Sequence, residues 1–184
     1  MQRIEALSPA NAPAASKVML DAVQKKIGMV PNLFKTFAHS PAVLGAYLKQ
    51  TEELSGGVLP APLREQLAVA IAGQNHCSYC ASAHTLMGKG AGVAVEELTH
   101  NLKGESGDAK TQAAINFAKV LLNHRGQIGE ADFAAVRAAG FGDAEIVEII
   151  GHVGVNIFTN YFNNAVGTVI DFPLVSTENF RAAA

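Results

Sequence analysis

Residues 60–90 read PAPLREQLAVAIAGQNHCSYCASAHTLMGKG, and their pattern decides the fold. The prolines at 60 and 62 suit the start of a helix, where a backbone N–H is not needed for the helical ladder. Leu63, Leu67, Ala70 and Ile71 then fall on one stripe of a helix that ends near Gly73 to Asn75. A second helix carries Cys80 to Lys89 and stops at Gly90. On a helix that begins near Cys77, positions i, i+3 and i+7 share a face, so Cys77, Cys80 and His84 point the same way. With the two helices packed antiparallel, Glu65 would reach back from the start of the first and orient His84.

Helical spacing of apolar residues continues outward from this hairpin in both directions, which predicts an all-α protein. Upstream, one helix is expected from Ala14 to Ile27 with Gly28 as its stop, followed by a turn at Met29-Val30-Pro31-Asn32. Ser40-Pro41 caps and opens another helix that ends at Gly56-Gly57. Downstream, a short helix is expected over Val95 to Leu102, and Asp108 caps a long one closed by Gly126. Glu130 to Ala139 follows, and Asp143 caps the most apolar stretch, Ile146 to Val169. The tail from Asp171 reads as extended, lying over the surface or a neighbouring subunit. Residues 1–184 form one domain: an N-terminal helical extension (about 1–55), the C-x-x-C core (about 56–102), a second helical half (about 108–170) and the tail (171–184). A faint, degenerate internal repeat is read at an offset of 83, which places Glu65 on Glu148 and Cys77 to Cys80 on Asn160 to Asn163.

A chain of 184 residues can bury roughly 70% of its unfolded surface. Its net charge of −2 gives no electrostatic footprint for nucleic acid or an anionic membrane. Charged residues make up only 16%, against about 25% in an average soluble domain. Burial of part of the surface against further copies of the chain is therefore expected. No run of about 18 apolar residues is present to span a bilayer, and Met1 to Glu5 open no signal-peptide core. A reducing, cytoplasmic setting is the expectation.

The only two cysteines, Cys77 and Cys80, would close almost no loop as a staple, so their spacing points to chemistry. A thiolate is favoured at a helix N-terminus or beside an imidazolium, and both are available here. His84 can take up and return a proton near neutrality. The competing readings are two inert buried thiols, or a zinc site made of His76, Cys77, Cys80 and His84, in which His76 would face away. A helix dipole alone also favours a carboxylate at Glu65. No metal and no cofactor is expected. Gly88 to Gly92 follows a helix, so it reads as a helix stop and not as a phosphate loop. A polar line, Glu148, His152, Asn156, Asn160 and Asn164, recurs every four residues in the last helix. It would be either a structural hydrogen-bond network or the lining of a cavity or subunit contact.

Glu65, twelve positions before C-x-x-C, with His84 four after the second cysteine, resembles the signature of alkylhydroperoxidase D-like proteins of the carboxymuconolactone decarboxylase superfamily. Gly28 to Asn32 and the stretch from Asn160-Tyr161-Phe162-Asn163 to Asp171-Phe172-Pro173 resemble the longer, peroxidase-related members. The resemblance implies an all-helical fold assembling into trimers or hexamers, and a thiol peroxidase that acts on alkyl or hydrogen peroxide. By position, Cys80 would attack the peroxide, Cys77 would resolve the sulfenic acid, and Glu65 with His84 would relay protons. An external dithiol or protein reductant would complete the cycle. One departure is Tyr79, where family members often carry a histidine that can move protons near neutral pH. A disulfide reductase, a stoichiometric redox sensor and a decarboxylase-like lyase remain as alternatives.

Overall fold

A computed structural model describes residues 1–178. Its helices are α1 (Ala14–Ile27), α2 (Asn32–Phe37), α3 (Pro41–Ser55), α4 (Ala61–Gln74), α5 (Ser78–Gly90), α6 (Val95–Leu102), α7 (Ala109–Asn123), α8 (Glu130–Ala138) and α9 (Asp143–Val166). No strand occurs among the described residues.

Helix α4 organises the rest because it is apolar on nearly every side, and such a helix is stable only when surrounded. It packs against α5, α6, α7 and α9. The stripe read from the sequence, Leu63, Leu67, Ala70 and Ile71, faces one core with Ile115 and Phe117 of α7 and Ile146, Ile149 and Val153 of α9. Val69 and Ala72 face a second core with Leu20, Phe37, Leu44, Cys77, Cys80 and Leu98. The thiols therefore sit in the second core, walled off from the first by α4.

Most helix ends follow from local chemistry. Gly28 stops α1 with φ +79°. Ser40 caps α3 by accepting from Val43 N–H (3.4 Å), and Asp108 caps α7 by accepting from Thr111 N–H (2.8 Å). Four expectations are corrected. Pro31 opens a short helix, α2, directly after the expected turn. The cap of α9 is Gly142, whose N–H donates to the Glu145 carboxylate (2.7 Å), while Asp143 turns to Arg137 (2.9 Å). Helix α9 ends at Val166, three residues earlier than expected, because Gly167 takes φ +69°. Arg3 covers that end by donating to the Ala165 carbonyl (2.7 Å), a cation at a helix C-terminus.

The fourth correction concerns the internal repeat. Glu65 and Cys80 lie on two helices joined by a turn, whereas Glu148 and Asn163 lie on one unbroken helix. Two equivalent hairpins are therefore not present at that offset. The tail lies on its own chain: Val175 N–H donates to Ser82 Oγ (2.9 Å) and Thr177 N–H to Ser78 Oγ (3.1 Å). The rest of the expected tail, 179–184, lies outside the described residues.

Helices α4 and α6 approach so closely at Gly73 that an added Cβ would overlap the Leu102 carbonyl oxygen. Backbone cannot swing aside as a flexible side chain can. Gly73→Ala is expected to cost about 3 kcal/mol or more, measured as the loss of unfolding free energy in urea.

Candidate active site

The chain reverses between α4 and α5 through a tight turn in which Asn75 N–H donates to the Ile71 carbonyl and Cys77 N–H to the Ala72 carbonyl, both at 2.9 Å. His76 takes φ +52°, a left-handed conformation that few side chains adopt. This reversal makes the two helices antiparallel. Glu65, in the second turn of α4, meets His84, in the second turn of α5, at 2.8 Å between Oε2 and Nδ1. Both side chains are about one-fifth exposed, so the pair is sheltered from solvent screening. Burial pulls the His84 imidazole toward its neutral form, but the charge and hydrogen bond of Glu65, with the charge on Cys80, outweigh it and raise its pKa.

Cys77 is the N-cap of α5 and its sulfur accepts from Cys80 N–H (3.3 Å). Both thiols are free and buried. They titrate as a pair with unequal partners. Cys77 is raised because it hydrogen-bonds to the Cys80 sulfur and is desolvated. For Cys80, burial pushes upward, but the bond from Cys77, the charge of His84, and the amides of Asn163 and Asn160 bring it down to about 7. The Asn163 amide donates to Cys80 Sγ at 3.3 Å. Asn163 is thus a site residue that the thiol and carboxylate pattern does not reveal. The offset of 83 had aligned it with Cys80, and in the folded chain the two are in contact.

Cys80 opens onto a cavity of about 560 Å³ that also reaches Glu65, His84, Tyr47, His152 and Asn156. Cys77 is not among its lining residues. Much of the remaining wall is apolar, from side chains such as Ile27, Leu48, Leu54 and Met87. A reagent in the cavity therefore meets one sulfur, backed by an imidazole and a carboxylate. Tyr79 does not join this group. Its hydroxyl accepts from Leu33 N–H (3.1 Å), its ring packs on Phe172, and burial, with the Asp171 charge nearby, raises its pKa. It ties α5 to α2 and the tail.

The polar line of α9 divides by position. Glu148 accepts from Val58 and Leu59 N–H (2.7 and 2.9 Å). Asn160 accepts from the Asn75 side chain (3.0 Å), and Asn164 donates to the Asn75 carbonyl (2.8 Å), so these two brace the turn ahead of Cys77. His152 and Asn156 line the cavity. Burial, followed by the Arg64 charge, lowers the His152 pKa. Among the described residues no group of three or more His, Cys, Asp or Glu side chains is arranged to hold a metal ion. His76 belongs to the turn, with its Nδ1 buried and without a partner. No described helix is long and apolar enough to cross a membrane.

Comparison with known proteins agrees with this architecture. The sequence matches the model of the carboxymuconolactone decarboxylase family over residues 41–119. A peroxidase-related protein with an alkylhydroperoxidase core from Ralstonia eutropha JMP134 is 26% identical and superposes with a TM-score of 0.82, covering 97% of this chain and 94% of that one. Over residues 41–119 the chain is similar to the carboxymuconolactone decarboxylase family, and over nearly its whole length to a protein with an alkylhydroperoxidase core. A peroxidase-related protein from Silicibacter sp. TM1040 shares the fold of this chain at 24% identity (TM-score 0.79; 98% and 96% covered). So does the debrominase Bmp8, seen with 2,3,4-tribromopyrrole in a cysteine-substituted form, at 17% identity (TM-score 0.76; 91% of each chain covered). No curated protein matches the sequence significantly.

Removing the Asn163 amide takes away a donor that favours the Cys80 thiolate. Asn163→Leu is expected to move the midpoint of Cys80 ionisation from about 7 toward that of an ordinary cysteine, about 8.5, followed by ultraviolet thiolate absorbance against pH.

Proposed function

We propose that the protein is a thiol-dependent peroxidase in which Cys80 is the peroxidatic nucleophile, Cys77 the resolving thiol, and His84 with Glu65 the proton relay. The observation that carries this reading is the placement of Cys80 at the cavity wall, one helical turn from His84, which is itself held by Glu65. With its pKa near 7, Cys80 is about half thiolate at neutral pH, the form that attacks. The thiolate attacks the terminal oxygen of R–O–O–H, the O–O bond breaks, and sulfur is oxidised to sulfenic acid as the peroxide is reduced to RO⁻. His84 gives the alkoxide its proton, and Glu65 holds the imidazole with Nε2 free to do so. The Cys77 thiol then displaces water from the Cys80 sulfenic acid, forming a disulfide that an external dithiol or protein reductant reduces. This chemistry uses no cofactor and no metal.

The protein works as an oligomer of its own copies in this proposal, in a cytoplasmic, reducing setting. Val147, Ile150, Phe158 and Tyr161 give α9 an exposed apolar face that supports assembly. Light scattering is expected to give a mass at least twice that of one chain.

The test is hydroperoxide consumption with a dithiol reductant. Cys80→Ser should lose at least about a thousandfold in turnover. Cys77→Ser should consume one equivalent and stall as a sulfenic acid that dimedone traps. The wild-type rate should rise with pH through about 7, as Cys80 ionises. Equal rates in all three proteins, or bromide release from 2,3,4-tribromopyrrole without peroxide consumption, would overturn the reading.

A further inference from the structure

Tyr47 stands on α3, away from the thiol hairpin, yet it lines the same cavity as Cys80, Glu65 and His84. Its ring is fixed by Phe34, Phe37 and Phe158, with centroids 5.7, 5.4 and 6.4 Å away. Its hydroxyl has no hydrogen-bond partner among the described residues, and the residue as a whole is only partly buried. A phenol held this rigidly at the wall of a cavity, with its O–H unspent, is placed to serve whatever occupies the cavity.

We propose that Tyr47 donates the hydrogen bond that receives the departing oxygen of the peroxide. The proposal rests on the peroxidase reading above. In that step negative charge collects on RO⁻, and donors aimed where charge develops contribute most to lowering the barrier. Several other polar groups of the cavity wall already have partners, while Lys26 and Arg64 also line it. His84 has given Nδ1 to Glu65, and the Tyr79 hydroxyl holds Leu33 N–H. Asn163 donates to the Cys80 sulfur, the attacking atom and not the leaving one. Thr159 bonds to the Val155 carbonyl (3.3 Å), and His152 Nε2 is buried without a partner. Burial first, and then the charges of Cys80 and Glu65, raise the Tyr47 pKa, so the phenol keeps its proton at any working pH. The proton that converts RO⁻ to alcohol still comes from His84. Tyr47 supplies a hydrogen bond and is unchanged at the end, so the balance of the step is untouched. Tyr47 is therefore a catalytic residue by contact, and it places a donor in the pocket of a protein whose C-x-x-C lacks an internal histidine.

Tyr47→Phe keeps the ring and its packing, and it separates this role from a structural one. Its kcat/KM for cumene hydroperoxide, which must expel a poor alkoxide leaving group, should fall about tenfold to a hundredfold. Its kcat/KM for peracetic acid, which expels a stable carboxylate, should fall much less. The pH midpoint of Cys80 alkylation by iodoacetamide, with no peroxide present, should stay at the wild-type value. Undiminished turnover, equal losses on both peroxides, or a shifted alkylation midpoint would each overturn the role of Tyr47 while leaving an active wild type as a peroxidase. A wild type that consumes neither peroxide would reject the peroxidase reading and this inference with it.

Discussion

The reversal of the chain at Asn75, His76 and Cys77 is the constraint on which the site depends. Glu65 and His84 are nineteen residues apart and meet only because the turn lays α5 back along α4. The same turn leaves Cys77 as the first residue outside α5, where its sulfur accepts the Cys80 N–H, and so brings the two thiols together at a helix N-terminus. The cost is a histidine in a left-handed conformation and a set of backbone groups that must be satisfied. Asn75 meets that need through α9: its side chain donates to Asn160 and its carbonyl accepts from Asn164. The asparagines of α9 thus brace the turn from outside while Asn163 of the same helix touches the Cys80 sulfur.

Burial alone would make both thiols poor nucleophiles, since a low-dielectric setting favours the neutral form. The structure divides that penalty unequally. Cys77 keeps its proton and points it at Cys80, which also receives amide donors and faces an imidazolium. Only the favoured sulfur opens to the cavity. An enclosed thiolate, an ion pair behind it and a largely apolar chamber in front form a sheltered setting in which each charge acts at close to full strength.

Much of this was legible in the sequence because it depends on neighbours along the chain. The caps Ser40 and Asp108, the stop at Gly28 and the stripe of α4 are local signals, and so is the shared face of Cys77, Cys80 and His84. The meeting of Glu65 and His84 required one assumption, that two consecutive apolar helices joined by a short turn pack antiparallel. Asn163 and Tyr47 were hidden because they come from helices that reach the site only through tertiary packing. The start of α9 was misjudged because Gly142, Asp143 and Glu145 offer competing caps, and a carboxylate three residues into the helix can serve the backbone better than one at its threshold. The even spacing of polar residues along α9 was visible, but the division of labour among them was not, since it depends on what faces each turn of the helix.

Cys77 occupies two positions at once, the cap of a helix and the partner of a second thiol. A disulfide to Cys80 would bond the sulfur that now accepts the Cys80 N–H in the first turn of α5, and a disulfide sulfur is the weaker acceptor. Oxidation would therefore loosen the start of the helix from within. Ser78 and Ser82, which hold Thr177 and Val175, lie on that same first stretch of α5. The state of two buried atoms is in this way coupled to how firmly the C-terminal segment is fastened at the surface, where a protein reductant would have to arrive.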